Sequence, residues 1–145
     1  MVPAVDTLPL RQQVLRPHQT IDELARERDA DGDTVYFAAV DDGAVIGTAS
    51  VHRKAPPWAP ALRRAWRLRD MATDETRRRQ RVGTAVLDAV IAYVSEQGGD
   101  LLWCKARTPA VAFYEDAGFT TIGESWIEPM IGPHIAMARP VDAQG

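Results

Sequence analysis

The chain has 145 residues, of which 46% are hydrophobic and 26% charged, and its formal net charge is -3. This length suits one domain over residues 1–145, and the acidic balance argues against a protein that binds duplex nucleic acid through a broadly basic face. No run approaches the ~18 apolar residues of a membrane-spanning helix, and the N-terminus lacks the pattern of a signal peptide, so the sequence predicts a cytoplasmic protein.

The first part of the chain predicts helices. Residues 7–16 and 21–28 carry helix-compatible sequences with Leu10 among the candidate core contacts, and Pro17 interrupts them. The alternation of helical and strand patterns that follows is typical of a mixed α/β fold.

A hairpin and a long loop come next. Residues 34–40 and 44–51 are rich in β-branched and aromatic side chains and flank Asp41-Asp42-Gly43, a strong turn signal, so we expect two antiparallel strands. Residues 54–64 contain three prolines and Trp58, which predicts a loop. Trp58 and Trp126 are interpreted either as a partly apolar wall of a binding site or as core or dimer contacts.

A strand over residues 65–73 leads into a strongly amphipathic helix. The helix is predicted from Val82 to about Gln97, because Gly98-Gly99 is a helix stop signal. Its apolar residues recur at the spacing of one helical face. They are Val82, Val86, Leu87, Val90, Ile91 and Val94.

A run of cations directly precedes this helix. Arginine opposes the dipole at a helix N-terminus, so four arginines between residues 77 and 81 indicate a negatively charged partner. The first turn leaves backbone N–H groups without intrahelical partners, and Gly83 lets a ligand approach them closely. We therefore predict a phosphate site, with Arg77 alone interpreted as part of a solvated loop. A nucleic-acid phosphate is the rival ligand.

The remainder predicts three further strands and one short helix. Residues 101–106 form a strand that we expect to run parallel to the preceding one, with the helix as the connection. Pro109 opens a short helix that ends at Gly118. Residues 119–123 and 134–139 are predicted strands, and residues 130–133 lie in the loop between them.

The single cysteine, Cys104, excludes an intrachain disulfide and a cysteine-based metal cluster. Its apolar neighbours indicate a buried strand residue rather than a covalent nucleophile. His18, His52 and His134 are too far apart for metal-ligand spacing, so we predict no metal.

Taken together, these motifs resemble the GNAT superfamily of N-acetyltransferases, and in particular a small bacterial branch. The family's Gln/Arg-x-x-Gly-x-Gly/Ala loop corresponds to residues 78–83, with Arg81 in place of the first glycine; a second register, residues 80–85, restores that glycine but displaces the helix stripe. Residues 113–119, Phe-Tyr-Glu-Asp-Ala-Gly-Phe, resemble the family's Phe-Tyr-x-x-x-Gly-Phe signature. Residues 132–137 resemble the closing strand of the branch.

The resemblance implies a mostly antiparallel sheet with splayed central parallel strands, flanking helices, acetyl-CoA as co-substrate and an amine acceptor. The strand ending at Met71-Ala72 would offer backbone groups to the pantetheine arm and the acetyl carbonyl. The acidic balance and the lack of a membrane-spanning run predict no nucleic-acid or membrane partner. The resemblance allows a homodimer. The residues it assigns to acetyl-CoA are Met71, Ala72, Arg78, Arg79, Gln80, Arg81, Val82, Gly83 and Thr84.

Tyr114 is the candidate catalytic residue. A phenol is protonated at neutral pH and can donate to a departing thiolate, although a tyrosine here can also serve only to pack on the helix face. Asp70, beside the expected thioester site, is interpreted either as a base or as a residue that faces solvent, and we expect the latter. The sequence leaves the general base open. Several side chains are candidates, and a water chain without a dedicated base is a further alternative. The candidate side chains are Glu75, Glu124, Glu128 and His134.

A second hypothesis is a CoA-binding module without catalysis that acts as a sensor or partner protein. The departures at Arg81 and Asp70 motivate it. Binding of nucleic acid by the arginine run is a third hypothesis.

Overall fold

The computed structural model describes residues 1–2, 10, 33–74 and 81–143. These residues form six strands and two α-helices. In chain order the elements are β1 (Val35–Asp41), β2 (Ala44–Arg53), β3 (Ala65–Thr73), α1 (Val82–Glu96), β4 (Leu101–Arg107), α2 (Val111–Asp116), β5 (Thr120–Glu128) and β6 (Gly132–Pro140). The N-terminal helices predicted from the sequence lie outside the described residues, apart from Leu10, which is buried.

The strands form one mixed sheet in the order β1-β2-β3-β4-β6-β5. The pairs β1–β2, β4–β6 and β5–β6 are antiparallel, whereas β3 and β4 are parallel. The β3–β4 register covers only three residue pairs, from Ala65 with Leu101 to Arg67 with Trp103, as in a splayed pair. A parallel pair requires a long crossover, which here contains α1. The predicted α/β fold, including its central parallel strands, is confirmed.

The hairpin between β1 and β2 turns at the predicted residues. Asp42 has φ 51° and Gly43 has φ 80°, and Asp41 pairs with Ala44 across the turn. Positive φ at both central residues is the geometry of a type I′ turn, which matches the twist of the flanking strands.

Contacts divide the chain into two compact units, Met1–His52 with Leu68–Ala92 and Arg53–Arg67 with Tyr93–Gly145. In the first unit, α1 buries its apolar stripe as predicted, although Ile91 is only half-buried. Gly47 of β2 lies against the first turn of α1: a Cβ there would be 2.7 Å from Val82 Cγ1 and 3.3 Å from Val86 Cγ2. The glycine therefore lets the start of α1 pack directly on β2.

The second unit has its own apolar cluster. Trp103, Ala65 and Ala138 are buried together, with Leu101 and Ile122 packed against them. The indole N–H of Trp103 donates to the Lys54 carbonyl at 2.8 Å, which satisfies its one polar group. The loop over residues 54–64 forms as predicted, without strand structure.

The last hairpin differs from its prediction. Residues 130–133 were expected to be loop, but β5 continues to Glu128 and β6 already begins at Gly132. The β5–β6 register is interrupted between Ile122 and Trp126, where Gly123 has φ 72°, and it then resumes. After this point the apolar Ile127 is exposed whereas the charged Glu128 is half-buried, so no pattern of apolar residues inside and polar residues outside marks the second half of the strand. No helix in the described ranges is both long and apolar enough to span a bilayer.

Candidate active site

The strand β3 turns sharply at Asp70, immediately before Met71 and Ala72. Asp70 has φ 55°, a left-handed conformation that aspartate tolerates better than most residues. Two hydroxyls of β2 hold it: Thr48 Oγ1 donates to the Asp70 carbonyl at 2.8 Å, and Ser50 Oγ donates to Asp70 Oδ2 at 2.7 Å. Both hydroxyl residues are fully buried. The backbone before Met71 is therefore fixed by two side chains of the neighbouring strand.

This contact corrects the expectation that Asp70 faces solvent. Its carboxylate is half-buried and accepts a hydrogen bond from a buried serine. Sequence reasoning missed Thr48 and Ser50. The sequence did contain a signal for them, because Thr48, Ser50 and His52 occupy alternate positions of a largely apolar strand and alternate positions share one face. In the structure all three are buried.

The first turn of α1 forms the second part of the candidate site. The amide of Ala85 donates to the Arg81 carbonyl at 3.1 Å, which is the first bond of the helix, so helix geometry leaves the preceding amides without intrahelical acceptors. Thr84 and Ala85 are exposed, and Gly83 is half-buried. This open turn has the chemistry of an anion site.

Arg81 lies directly before this turn with φ 59° and an exposed side chain. Glycine adopts this left-handed conformation without steric cost. The geometry therefore supports the first register of the motif, in which Arg81 stands at a glycine position. Arg78, Arg79 and Gln80 lie outside the described residues, as do Arg77 and Glu75.

Tyr114 lies in the second unit, on α2, with only 6% of its surface exposed. The rings of Phe113 and Phe119 pack edge-on against it, with centroids 5.2 Å and 5.3 Å away. Burial, reinforced by Cys104 and opposed by Arg107, raises the pKa of Tyr114 well above its ordinary value. The side chain is therefore a neutral phenol throughout the physiological pH range.

Cys104 confirms the interpretation as a buried strand residue. It is 3% exposed on β4, and burial raises the pKa of its thiol from 9.0 to about 12, against a smaller opposing effect of Arg67. A thiol with so high a pKa is not a thiolate nucleophile at neutral pH.

His134 is buried on β6, where its ring stacks on Trp126 at 6.0 Å. Its Nδ1 lies 2.9 Å from the Gly132 carbonyl. Because a carbonyl only accepts, Nδ1 carries the proton and donates, which leaves Nε2 as an acceptor when the ring is neutral. The geometry is therefore compatible with a base at Nε2 and equally with a hydrogen-bonded histidine that serves only the structure. The other carboxylate candidates differ: Glu124 is exposed, whereas Glu128 Oε1 accepts a hydrogen bond from the Trp126 indole.

Trp58 and Trp126, the two tryptophans with more than one interpretation, lie in different surroundings. Trp58 is 40% exposed and packs edge-on against Trp103, with centroids 5.6 Å apart. Trp126 is half-buried beside His134. Within the described ranges, no three His, Cys, Asp or Glu side chains are grouped so that they could hold a metal ion.

Comparison with known proteins places this geometry in a family. The model of the acetyltransferase (GNAT) family matches residues 4–119. The uncharacterized N-acetyltransferase YitI of Bacillus subtilis (strain 168) is 33% identical over 134 residues, which cover 92% of this chain and 89% of YitI.

Two solved structures have the same fold at low sequence identity. An aminoglycoside 6'-N-acetyltransferase complexed with coenzyme A superposes with a TM-score of 0.75 at 17% identity, covering 97% of this chain and 92% of the other. The ribosomal-protein-S18-alanine N-acetyltransferase of Escherichia coli gives a TM-score of 0.75 at 20% identity, with 99% and 93% covered. The chain therefore belongs to the GNAT family of acetyltransferases, enzymes that use acetyl-CoA as co-substrate.

Proposed function

We propose that the chain transfers the acetyl group of acetyl-CoA directly to an amine acceptor, a small molecule or a peptide, in a ternary complex. The observation that carries this proposal is Tyr114, a deeply buried phenol that its surroundings keep protonated, within the motif Phe113–Phe119. The departing thiolate of coenzyme A requires a proton donor, and a protonated phenol can serve as one.

The residues proposed to bind acetyl-CoA lie in the first unit and in the arginine run. The first turn of α1, with Val82, Gly83 and Thr84, fits a pyrophosphate because its amides lack intrahelical acceptors and the helix dipole favours negative charge. Upstream cations add charge-assisted donors. These are Arg78, Arg79 and Arg81, accompanied by Gln80. Met71 and Ala72 offer their backbone groups to the pantetheine arm.

Acetyl-CoA supplies the activated acetyl group as a thioester. A backbone N–H near Met71 or Ala72 polarises its carbonyl, a modest oxyanion-type contribution. The acceptor amine must attack in its neutral form, and the base that takes its proton is one of the candidates named above or a water chain. Tyr114 donates its proton to the sulfur as the carbon–sulfur bond breaks. The held turn at Asp70 fixes the backbone that receives the carbonyl.

A thermal-shift titration with acetyl-CoA, free CoA and ATP, combined with a CoA-release assay on a panel of amines, tests this function. A ligand that binds only the folded state raises Tm. We expect both CoA species to raise Tm, ATP to have no effect, and CoA release to depend on an amine. The absence of a shift with either CoA species contradicts the proposed cofactor site.

A CoA-binding module without catalysis is the second candidate, and the left-handed Arg81 at a glycine position favours it. In that case Arg81→Gly tightens CoA binding without creating turnover. Amine-dependent turnover by the unmodified protein excludes this candidate.

Three further expectations belong to the same proposal. Residues 1–145 are proposed to be one acetyltransferase domain, which the family match over residues 4–119 supports. The cytoplasmic location and a homodimer stay predictions from the sequence and the resemblance.

A further inference from the structure

Gly47 lies in the interior of β2, a place where glycine is unfavourable. A glycine inside a strand has no side chain to pack and loses more chain entropy on folding than any other residue. The backbone of Gly47 is extended, without a positive φ, and it pairs with Ala39 of β1. The backbone conformation therefore does not require glycine here, and the reason for it lies in what packs against this position.

The neighbour that excludes a side chain at Gly47 is the first turn of α1. A Cβ at this position would be 2.7 Å from Val82 Cγ1 and 3.3 Å from Val86 Cγ2. On the side of β1 the nearest atom, Ala39 Cβ, is at 3.6 Å, an ordinary contact distance. Because carbon atoms pack at about 3.5–4.0 Å, Val82 would have to retreat by about 1 Å to admit a methyl group.

Val82 has little freedom to retreat by turning its side chain. It is 7% exposed, and a β-branched residue in a helix has one strongly preferred rotamer. A methyl group on Gly47 would therefore displace the backbone of Val82, together with Gly83 and Thr84 of the same turn. This is the turn proposed to bind the pyrophosphate of acetyl-CoA.

The residues on either side of Gly47 contact other parts of the same compact unit. Thr48 Oγ1 donates to the Asp70 carbonyl at 2.8 Å, and successive residues of a strand project to opposite faces. The amide of Asp74, where the chain leaves β3, donates to the Ile46 carbonyl at 2.8 Å. Three consecutive residues of β2 thus contact the start of α1, the turn before the proposed thioester site and the end of β3.

The separation of these two turns matters because acetyl-CoA carries its pyrophosphate and its thioester at opposite ends of the pantetheine arm. Two linked groups strengthen each other's binding only when the geometry lets both engage at once. A displacement of about 1 Å can therefore remove a contact at one end even when each turn keeps its own shape.

We infer that Gly47 is a positioning residue for acetyl-CoA. By admitting Val82 against β2, it sets where the phosphate-binding turn of α1 stands relative to the turn at Asp70. This inference rests on the proposed function, and it assigns a role in the cofactor site to a residue that acts through Val82.

The variant Gly47→Ala tests the inference through the Kd of free CoA. Isothermal titration calorimetry measures this Kd well below the Tm of the variant, where the protein is folded. We expect the Kd to be higher than in the unmodified protein by a factor of about ten, the effect of losing one hydrogen bond to a charged group.

Gly43→Ala is the matched control for lost stability. Gly43 lies in the turn between β1 and β2 with φ 80°, and a Cβ there would have no atom within 4 Å. Alanine is strained in this conformation but touches nothing in α1. The control should lower Tm and leave the Kd of CoA unchanged.

A second variant relieves the contact from the side of the helix. Val82→Ala removes the Cγ1 atom that a methyl group on Gly47 would meet. The double variant Gly47→Ala/Val82→Ala should therefore bind CoA within about twofold of Val82→Ala alone, because the two changes are coupled. This comparison also decides the question if Gly47→Ala by itself does not fold.

Three results overturn the inference. They are an unchanged Kd in Gly47→Ala, an equal rise of the Kd in Gly43→Ala, and a rise of about tenfold when Gly47→Ala is added to Val82→Ala. If the unmodified protein does not bind CoA at all, the proposed cofactor site itself is contradicted, so the two failures are distinguishable.

Discussion

The half-buried Asp70 and the buried Tyr114 show two different ways in which the protein accommodates an ionisable side chain. Asp70 is given partners, because two fully buried hydroxyls donate to its carbonyl and its carboxylate. Tyr114 and Cys104 are kept neutral, because burial raises the pKa of each. The first region can therefore place a backbone turn accurately, whereas the second can hold a proton until it is needed.

The largest expected effect is a loss of stability at high pH, caused by the buried groups Cys104 and Tyr114. Burial raises the pKa of Cys104 from 9.0 to about 12 in the folded protein, so above pH 9 the unfolded chain ionises while the folded one stays protonated. The free energy of unfolding should then fall by about 1.4 kcal/mol per pH unit between these values, or about 4 kcal/mol in total, with Tyr114 adding to the slope above about pH 10.

Urea denaturation at several pH values between 7 and 11 measures this slope. The variant Cys104→Ala is less stable at pH 7 because it leaves a small cavity, but it should lose the part of the slope that begins at pH 9. A free energy of unfolding that stays constant from pH 8 to 11 contradicts the assignment of both groups as neutral.

A smaller effect is expected at the polar turn. Asp70→Ala leaves the buried Ser50 hydroxyl without its acceptor and puts a less tolerant residue in the left-handed conformation, a combined cost of about 2 kcal/mol. Asp70→Gly keeps the backbone freedom and loses only the acceptor, whereas Asp70→Asn keeps both the acceptor and the conformation.

The three variants together separate positioning from acid–base chemistry. If the carboxylate only holds the turn, Asp70→Asn retains the kcat and pH profile of the unmodified protein, and the alanine variant is the most impaired in stability and kcat. A strong loss of kcat in Asp70→Asn, with a changed pH profile, contradicts the positioning role and makes Asp70 a base.

The smallest effect is expected at Arg81, which shares the left-handed conformation of Asp70 but has an exposed side chain. Arg81→Gly removes the steric cost of that conformation and adds chain entropy to the unfolded state, so we expect a net stabilisation of about 0.5 kcal/mol. Thermal unfolding measures it. A clear loss of stability in the glycine variant contradicts the account of Arg81 as a strained residue at a glycine position.

The elements that the sequence predicted correctly are those determined by interactions between residues close together in the chain. The turn Asp41-Asp42-Gly43 and the stripe of α1 were readable because turn chemistry and helix period act within a few residues. The second half of β5 was not, because an edge strand with exposed side chains is held by pairing with β6 and carries no apolar pattern of its own.

The candidate site also has one part that the sequence predicted and another that only the structure showed. The α1 turn and Tyr114 followed from motifs, while the hydroxyls that hold Asp70 lie about twenty residues away in sequence and needed the structure. The strand over residues 101–106 was interpreted as buried from its apolar residues. That interpretation is confirmed for Leu102, Trp103 and Cys104, which are buried, but not for Lys105, which is exposed.

The most direct test of the account is to compare Tyr114→Phe with the unmodified protein, measuring kcat by CoA release from acetyl-CoA and affinity for acetyl-CoA by thermal shift. Phenylalanine keeps the ring and its contacts with Phe113 and Phe119, so only the donated proton is removed. We predict that kcat falls by a factor of about one hundred, a typical contribution of general acid catalysis, with affinity for acetyl-CoA unchanged. An unchanged kcat would contradict Tyr114 as the proton donor and leave it as a packing residue.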